Sequence, residues 1–513
     1  MLTAIALWAG VGAGAGCGED AVLLRPILDA PCEQSAAYPY SDDETLVLSV
    51  ARTGDEQPLR EASIGAGDDF VLPETPFDND MVVHLSSRAP SGAETAYGRT
   101  CTLNINGDSE DSLEPSLYFS RIVQWSSGGS PKAERGSDGL AYASPDGAAL
   151  FVGDGDRSGA IERFDPLTAT YTTLSAELTP RRGAVISALA DGRAIITGGE
   201  NGAGQPVTMI EVLEPQRDAV RQLSVPANWQ AVLGHAAATL VDSSVVVTGG
   251  YDSSAKDTCP DATATASGWE LRFGDGDVLS SPEPLTAEMH FARTGHTMTR
   301  LGDAPGADVL VVGGQDGCGQ PVPIAELYRP FSGRFEKLAE DDQPGQGAVL
   351  NVPRWGHLAI RLPGGFVAII GGFGPDPASG TGAIKAVREV EIYDPGLSRF
   401  TVARDENDWL TADDAFTAQS VTPLPDDRVL VAGGLDAQGN PVASAYVVSL
   451  DRINGDVDRV AAESMAIPRA GHSAVLLCDG TVLTVGGNRD PGQNECGDSL
   501  AAERYNPIAA GRR

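Results

Sequence analysis

The chain has 513 residues, of which 42% are hydrophobic, and it contains 61 glycines and 34 prolines. This length predicts at least two domains, and the abundance of turn-forming residues argues against a helical bundle. Lys and Arg number 36 against 71 Asp and Glu, which gives a formal net charge of −35. Because such a surface repels nucleic acid and anionic lipid, we expect a soluble protein without a nucleic-acid partner.

Residues 1–17 predict export. The apolar run at 2–11 is too short to span a bilayer as a helix but fits the apolar region of a signal peptide. Small residues at 14–16 precede Cys17 and resemble the lipobox of bacterial lipoproteins. The resemblance implies a lipid on Cys17, membrane contact only through that anchor, and a location in the bacterial cell envelope or outside the cell. The alternative is an ordinary signal peptide with an incidental cysteine.

Residues 18–114 predict a small β-sandwich of the immunoglobulin-like kind. Short β-prone runs at 45–52, 69–74, 81–87 and 97–105 are separated by Gly, Pro and Asp. Cys32 and Cys101 lie near the two ends of this region, and we expect a disulfide between them. Six cysteines remain when Cys17 is set aside, and an even number in an exported chain is typical of disulfides.

A repeat fills the rest of the chain. Its clearest element is a glycine doublet after a β-branched run, and successive copies lie 45 to 64 residues apart. A degenerate copy, FVGD, lies at 151–154. The six complete doublets are Gly198 and Gly199, Gly249 and Gly250, Gly313 and Gly314, Gly371 and Gly372, Gly433 and Gly434, and Gly486 and Gly487.

Other elements keep a fixed distance from the doublets. A histidine lies fourteen residues before three of them and seventeen before a fourth, where 302–308 carries a three-residue insertion. These histidines are His235, His357, His472 and His296. Three of the four belong to Arg-x-Gly-His strings, whose arginines are Arg293, Arg354 and Arg469. Asp-Gly turns precede several doublets, and strings such as AELYRP and VEIYDP follow them.

These registered elements resemble the kelch-repeat β-propeller over about residues 115–513, and the mean spacing of about 55 residues is near that of kelch repeats. The resemblance implies an all-β fold: a seven-bladed kelch-type β-propeller, here preceded by the small β-sandwich. Each copy predicts one four-stranded antiparallel blade with an Asp-Gly hairpin. The run SLYFSRIVQW at 116–125 has no partner of its own, so we expect it to complete the seventh blade and close the ring.

The order of strands within a blade predicts two unlike faces. The Asp-Gly and Pro-containing turns would lie on one face, here called the tight-turn face. The loops after the doublets and the connections between blades would lie on the other, the loop-rich face. The length variation falls on the second face, at 251–268, 373–386, 488–500, 218–233, 339–352 and 403–418. Because insertions on one face of a repeat protein often mark its binding surface, we expect binding there.

The same geometry bears on the remaining cysteines. Cys259 and Cys318 follow the doublets of neighbouring blades on the loop-rich face, so they could pair. Cys478 and Cys496 would lie at opposite ends of a six-residue strand, roughly 20 Å apart, which is too far for a disulfide.

A residue that recurs in blade after blade is expected to be structural, because a catalytic site needs unlike residues to converge. We therefore assign structural roles to the four histidines, the three arginines and the doublet glycines, and we predict no catalytic residue, metal or cofactor. The expected function is that of a monomeric binding or scaffold protein for an unknown protein or glycan. The alternative is an exported carbohydrate-active or galactose-oxidase-like enzyme, although the chain is expected to end at its last blade without the further β domain of those copper oxidases.

Overall fold

The structure, a computed structural model, describes residues 21–507 with internal gaps. The gaps are 42, 56, 66–69, 77, 106–111, 134, 156, 230–232, 252–263, 273–279, 340–346, 377–382, 404–416, 425–427, 451–456, 488–491, 495 and 498. The predicted signal segment with Cys17 therefore lies outside the described residues. Within them the regular structure is β-strand, apart from two 3₁₀ helices at Pro215–Arg217 and Pro363–Gly365, and no helix is long and apolar enough to cross a membrane.

The N-terminal region builds a β core of its own. Its strands are β1 (Ala21–Leu24), β2 (Ile27–Asp29), β3 (Thr45–Arg52), β4 (Arg60–Ile64), β5 (Leu72–Pro76), β6 (Asp78–Arg88), β7 (Glu94–Arg99), β8 (Leu103–Ile105), β9 (Ser112–Leu113), β10 (Ser116–Tyr118) and β11 (Ser120–Arg121). One sheet has the order β11-β7-β6-β3-β4, with β8 also paired to β6, and smaller sheets have the orders β5-β1-β9 and β10-β2. Leu24 and Leu72 of a smaller sheet share one apolar cluster with Leu48 and Val83 of the large sheet.

The other described residues form seven four-stranded antiparallel sheets, numbered here in chain order. The first strand of this region is β12 (Gln124–Ser127). Sheet 1 contains β13 (Leu140–Ala143), β14 (Ala149–Val152), β15 (Ala160–Asp165) and β16 (Thr170–Glu177), and sheet 2 contains β17 (Val185–Ala188), β18 (Ala194–Thr197), β19 (Ile210–Glu214) and β20 (Ala219–Leu223). Sheet 3 contains β21 (Ala236–Thr239), β22 (Val245–Thr248), β23 (Gly268–Leu271) and β24 (Glu283–Pro284).

Sheets 4 to 7 follow the same plan. Sheet 4 contains β25 (Thr294–Arg300), β26 (Val309–Gln315), β27 (Glu326–Arg329) and β28 (Arg334–Lys337), and sheet 6 contains β35 (Ser420–Pro423), β36 (Val429–Ala432), β37 (Ala445–Leu450) and β38 (Val457–Ala461). Sheet 5 contains β29 (Leu358–Arg361), β30 (Val367–Ile370), β33 (Glu391–Asp394) and β34 (Arg399–Val402), and a separate hairpin of β31 (Phe373–Pro375) and β32 (Ile384–Ala386) lies between its second and third strands in the chain. Sheet 7 contains β39 (Ser473–Leu476), β40 (Val482–Val485) and β41 (Ala502–Asn506), and β12 is its fourth strand.

Apolar packing joins each sheet to the next. The second strand of each sheet is a short β-branched or aliphatic run, and it is buried because a neighbouring sheet covers either side. Val312 of sheet 4 shares an apolar cluster with Ile369 of sheet 5, and Leu483 of sheet 7 shares one with Phe151 of sheet 1. The first strands also contact one another in chain order, and β39 contacts β13. This all-β arrangement is consistent with a propeller.

The predicted closing strand at 116–125 is divided between two regions. Its first part forms β10 and β11, which pair with N-terminal strands. Val123 then adopts a φ of 61°, a left-handed conformation that interrupts a strand. Only β12, beyond this kink, joins sheet 7, where Trp125 lies opposite Tyr505. The prediction is therefore confirmed for the last residues of the segment and wrong for the first.

The disulfides tie the N-terminal region to sheet 7, and the predicted bond between Cys32 and Cys101 is wrong. Cys32 bonds to Cys496 and Cys101 bonds to Cys478, with Cα–Cα distances of 6.4 and 4.9 Å. The physical reason is that β12 brings the N-terminal region against sheet 7, so that each of its cysteines meets a cysteine of the sheet. Cys478 and Cys496 do not bond to each other, as predicted.

Cys318 is also disulfide-bonded. Its predicted partner, Cys259, lies outside the described residues.

Arg504 of β41 lies at the junction of the two regions. Its Nε donates to Thr481 Oγ1 at 2.8 Å, and its guanidinium also donates to Asp479 in the same tight turn. The guanidinium carbon lies 3.8 Å from the centre of the Tyr118 ring, so the arginine contacts β10 as well. One buried side chain therefore fixes the end of sheet 7 to the N-terminal region.

Candidate functional site

A buried arginine–glutamate pair recurs in five sheets. The arginine comes shortly before the first strand, and the glutamate lies on the third. The pairs are Arg135–Glu162, Arg181–Glu211, Arg293–Glu326, Arg354–Glu391 and Arg469–Glu503. In sheets 4, 5 and 7 both side chains are fully buried, with N–O distances of 3.0, 2.7 and 2.8 Å. Burial lowers the pKa of Arg293 and Arg354 and raises that of Glu503, because it disfavours a charged group.

The same arginines hold the glycine doublets. Arg293 Nη1 donates to Gly313 O at 2.8 Å, and Arg469 Nη1 donates to Gly486 O at 2.6 Å. The equivalent bond to the first glycine forms in the other three sheets that carry the pair. The arginine, the doublet and the glutamate therefore form one buried network.

Two sheets lack the ion pair, and they lack both partners together. The residue in register with the glutamates is Trp269 in sheet 3 and Tyr446 in sheet 6. The residues in register with the arginines are Val232 and Phe416 in the sequence, and both lie outside the described residues. An apolar residue in place of the arginine thus accompanies an aromatic residue in place of the glutamate. This is expected of a structural pair, since a lone buried charge is strongly destabilising.

The four repeated histidines lie between neighbouring sheets. Each Nε2 shares a hydrogen bond with a hydroxyl group of the preceding sheet. The pairs are His235 with Thr197 at 2.9 Å, His296 with Thr248 at 3.0 Å, His357 with Thr297 at 3.0 Å and His472 with Ser420 at 2.8 Å. Burial, helped by the adjacent arginines, lowers the pKa of His357 and His472 to about 3, so that both rings are neutral at physiological pH.

In sheet 4 the doublet is glycine because histidines occupy the space beside it. All twelve doublet glycines have positive φ, between 58° and 106°. A Cβ on Gly313 would lie 2.6 Å from His357 Cε1, and one on Gly314 would lie 2.9 Å from His296 Cβ. The doublet of sheet 4 is therefore enclosed by its own histidine and by that of sheet 5, which leaves no room for a side chain.

At the loop-rich face the first strands are joined by backbone hydrogen bonds. Gly356 N donates to Gly295 O at 2.9 Å, and Gly295 N donates to Gly234 O at 2.7 Å. Gly471 N likewise donates to Ala418 O at 2.8 Å. A Cβ on Gly234 would lie 2.3 Å from Thr294 Oγ1, so the glycine that precedes the repeated histidine permits this close approach.

At the tight-turn face side chains replace these backbone contacts. Thr239 Oγ1 donates to Ala188 O at 3.1 Å, and Arg300 Nη1 donates to Thr239 O at 3.1 Å. The strand ends of sheets 2 to 5 line a cavity of about 720 Å³ here, which is open to solvent. A second cavity, of about 450 Å³, adjoins it and shares Asp303 and Arg361. Both lie on the face opposite the one from which the sequence predicts binding.

The mouth of the larger cavity carries three charged side chains. Asp303, in the turn between β25 and β26, accepts from Arg300 Nη2 at 3.0 Å and from Arg361 Nη2 at 2.7 Å. The bond from Arg361 is the main cause that lowers the pKa of Asp303. The two arginines end the first strands of neighbouring sheets, so the carboxylate joins sheets 4 and 5.

The residues predicted from the repeat and the residues that line the cavity are different. The predicted repeat residues are buried within the sheets or between neighbouring sheets. The cavity is lined by residues that do not belong to the repeat motif. The five glutamates belong to the strings that follow the doublets, but their pairing with the arginines was not predicted, although a glutamate in an otherwise apolar strand demands a buried partner. Much of the predicted loop-rich binding surface lies outside the described residues. Within the described part of the chain, no group of three or more His, Cys, Asp and Glu side chains could hold a metal ion.

No family model and no curated protein matches the chain. Among solved structures the chain is similar to the structure of YjhT, with 15% sequence identity and a TM-score of 0.47. This similarity covers 64% of the present chain and 98% of that chain.

Proposed function

We propose that this protein is an exported binding protein, built as a seven-bladed kelch-type propeller behind an N-terminal β-sandwich, and that its ligand enters the propeller from the tight-turn face. The observation that carries the proposal is the cavity of about 720 Å³ at the strand ends of sheets 2 to 5. Its volume falls within the roughly 300–1,000 Å³ of ligand pockets in general. Thr239, Ser243 and Thr299 supply polar groups beside the charged residues of the mouth.

Two further observations support the architecture and the address. The apolar clusters run from each sheet to the next and from sheet 7 back to sheet 1, as a closed ring requires. Two disulfides join regions that are far apart in the chain, and disulfides of this kind persist in oxidising compartments. A ligand bound at the loop-rich face and an enzymatic role are alternatives that no described contact favours.

The binding site can be tested by obstructing the mouth of the cavity. Ala188 and Ala143 are exposed residues that end the first strands of sheets 2 and 1 in the same register, but only Ala188 lines the cavity. We expect the full chain to bind members of a glycan array or a peptide array, Ala188→Trp to lose this binding, and Ala143→Trp to retain it. Binding that persists in Ala188→Trp would place the ligand elsewhere and contradict the proposal.

Membrane attachment through Cys17 is a separate part of the proposal. We expect Cys17→Ala to move the protein from membrane to soluble fractions while its thermal midpoint stays that of the wild type. Equal membrane retention of the variant would show that no lipid on this cysteine holds the protein.

A further inference from the structure

At one position of the repeat, two adjacent sheets carry a charged residue and the other five sheets do not. The last residue of each first strand pairs with the residue four before the first doublet glycine, so seven residues share one register at the tight-turn face. They are Ala143, Ala188, Thr239, Arg300, Arg361, Pro423 and Leu476. Five of the seven are uncharged, and the two charged residues are neighbours. A structural role shared by all sheets does not explain this pair, because the other sheets form without it.

The two arginines already hold a carboxylate. Asp303 directs Oδ1 to Arg300 and Oδ2 to Arg361, so that each carboxylate oxygen accepts from a different guanidinium group. Asp303 belongs to the turn that carries the three-residue insertion at 302–308, and this longer turn lets it reach both strand ends. The geometry of the pair is thus that of a carboxylate site with one oxygen for each arginine.

The contact is one that a ligand can replace. About two thirds of the Asp303 side chain is exposed (68%), and about one third of each arginine is exposed (30 and 34%). Exposed ion pairs of this kind contribute little stability, so displacing Asp303 requires little free energy. A ligand carboxylate at the same place would keep both arginines paired.

The described residues that line the larger cavity have a net charge opposite to that of the chain. Its charged lining residues are Arg300, Arg361 and one acidic residue, Asp303. The whole chain has about two acidic residues for each basic one. A basic recess in an acidic protein attracts an anionic group that the remaining surface repels.

We infer that Arg300 and Arg361 form a carboxylate-binding subsite at the mouth of the larger cavity, and that Asp303 competes with the ligand for it. This inference rests on the proposed function, since it names the chemistry of the ligand for the same cavity. The carboxylate can belong to an acidic sugar or to an acidic amino-acid side chain. Both present the same planar group to the two arginines.

The test uses the full chain and small acids that separate the two sources. Calorimetric titrations compare glucuronate with glucose, and N-acetylaspartate with N-acetylasparagine; inorganic phosphate tests whether any anion suffices. We expect Asp303→Ala to bind at least one of the two acids roughly two- to tenfold tighter than the wild type, because the internal competitor is gone. Arg361→Ala should bind the same acid about tenfold or more weakly than the wild type, since one charged hydrogen bond is lost.

A matched control is Asp78→Ala. Asp78 is likewise a carboxylate held by an arginine, Arg52, but it lies in the N-terminal region, so its removal should leave the binding unchanged. Thermal midpoints near that of the wild type establish that the variants are folded.

Three results would overturn the inference: no saturable binding of either acid to Asp303→Ala, equal binding of an acid and its neutral counterpart, or unchanged binding in Arg361→Ala. Phosphate that binds as well as the acids would replace the carboxylate with a general anion site and would also overturn it. None of these results affects the proposed function, which depends on the loss of array binding in Ala188→Trp.

Discussion

Sheets 5 and 6 are neighbours with the same backbone plan but different interiors. Sheet 5 carries Arg354, Glu391 and His357, all buried and hydrogen-bonded. In sheet 6 the residue in register with the glutamate is Tyr446, and the residue in register with the histidine is Gln419. The same fold is therefore reached with an ionic interior in one sheet and with uncharged residues at the equivalent positions of the next.

The difference shows what the repeat requires. A buried ion pair is often no more stabilising than well-packed apolar residues of similar volume, but half of such a pair is strongly destabilising. The requirement at these positions is therefore a matched pair of partners and not an arginine as such. Exchanging residues between the two sheets tests this requirement.

The largest effect is expected from Arg354→Phe. Phe416 is the residue of sheet 6 at this position, but in sheet 5 the change leaves Glu391 as a buried charge without its cation. We expect the free energy of unfolding in urea to fall by about 3–5 kcal/mol. Arg217→Leu is the control, because Arg217 is 78% exposed in its ion pair with Glu214, and its loss should change the stability by less than about 1 kcal/mol. A small effect of Arg354→Phe would mean that the pair is not a unit.

The second prediction combines Arg354→Phe with Glu391→Tyr, so that sheet 5 carries the residues of sheet 6. Because no lone charge is then buried, we expect the double variant to be at least about 2 kcal/mol more stable than Arg354→Phe alone. The measurement is a double-mutant cycle of urea unfolding free energies. Simple additivity of the two single changes would contradict the interpretation drawn from sheets 3 and 6.

The third prediction concerns the histidines. Replacing His296, His357 or His472 with Ala leaves a hydroxyl group of the preceding sheet without its buried partner. We expect a similar loss in each case, about 1–3 kcal/mol, with binding retained in the folded protein. Thermal midpoints and ligand response of the three variants provide the measurement. One variant that abolishes function at unchanged stability would favour the enzyme alternative.

The fourth prediction is a pH dependence of the same histidines. Burial holds the pKa of His357 and His472 at about 3, whereas the unfolded value is about 6.5. The unfolded chain therefore binds more protons between these values, and the stabilisation that is fully present above pH 6.5 is lost as the pH falls towards 3. We expect the urea midpoint of the wild type to decline on acidification through this window, and that of His357→Gln to decline less. Parallel declines would indicate that other groups control the acid sensitivity.

The elements that the sequence predicts well are those set by local backbone chemistry. The predicted strand at 45–52 is β3. The glycines of the Asp-Gly turns and of the doublets have positive φ, which explains why these positions are glycine. The disulfides could not be predicted in the same way. Their pairing depends on β12, which is kinked at Val123 and brings Cys32 and Cys101 to sheet 7.

The candidate site was missed for a related reason. The repeat pattern selects residues that recur in most sheets, and the cavity is lined by Arg300 and Arg361, the two charged residues at a register that is uncharged in the other five sheets. Only the spacing of His296, three residues longer than that of its equivalents, indicates in the sequence that the turn holding Asp303 is unusual. Such a site becomes visible only when the strands of all seven sheets are aligned in register, because it consists of the residues that differ from their equivalents.

The smallest effect is expected at Gln419, where sheet 6 departs from the histidine position of sheet 5. Both polar atoms of its buried side chain lack a hydrogen-bond partner among the described residues. The reason lies in sheet 5: the two positions that offer hydroxyl groups to the histidines elsewhere are occupied by Leu358 and Ile370. Gln419→Leu should therefore raise the unfolding free energy by up to about 1 kcal/mol, since an unpaired buried amide is replaced by an apolar group of similar size. Gln419→His should not stabilise the protein, because its ring would meet no hydroxyl group. A loss of stability in Gln419→Leu comparable to that in His357→Ala would show that this amide is paired after all.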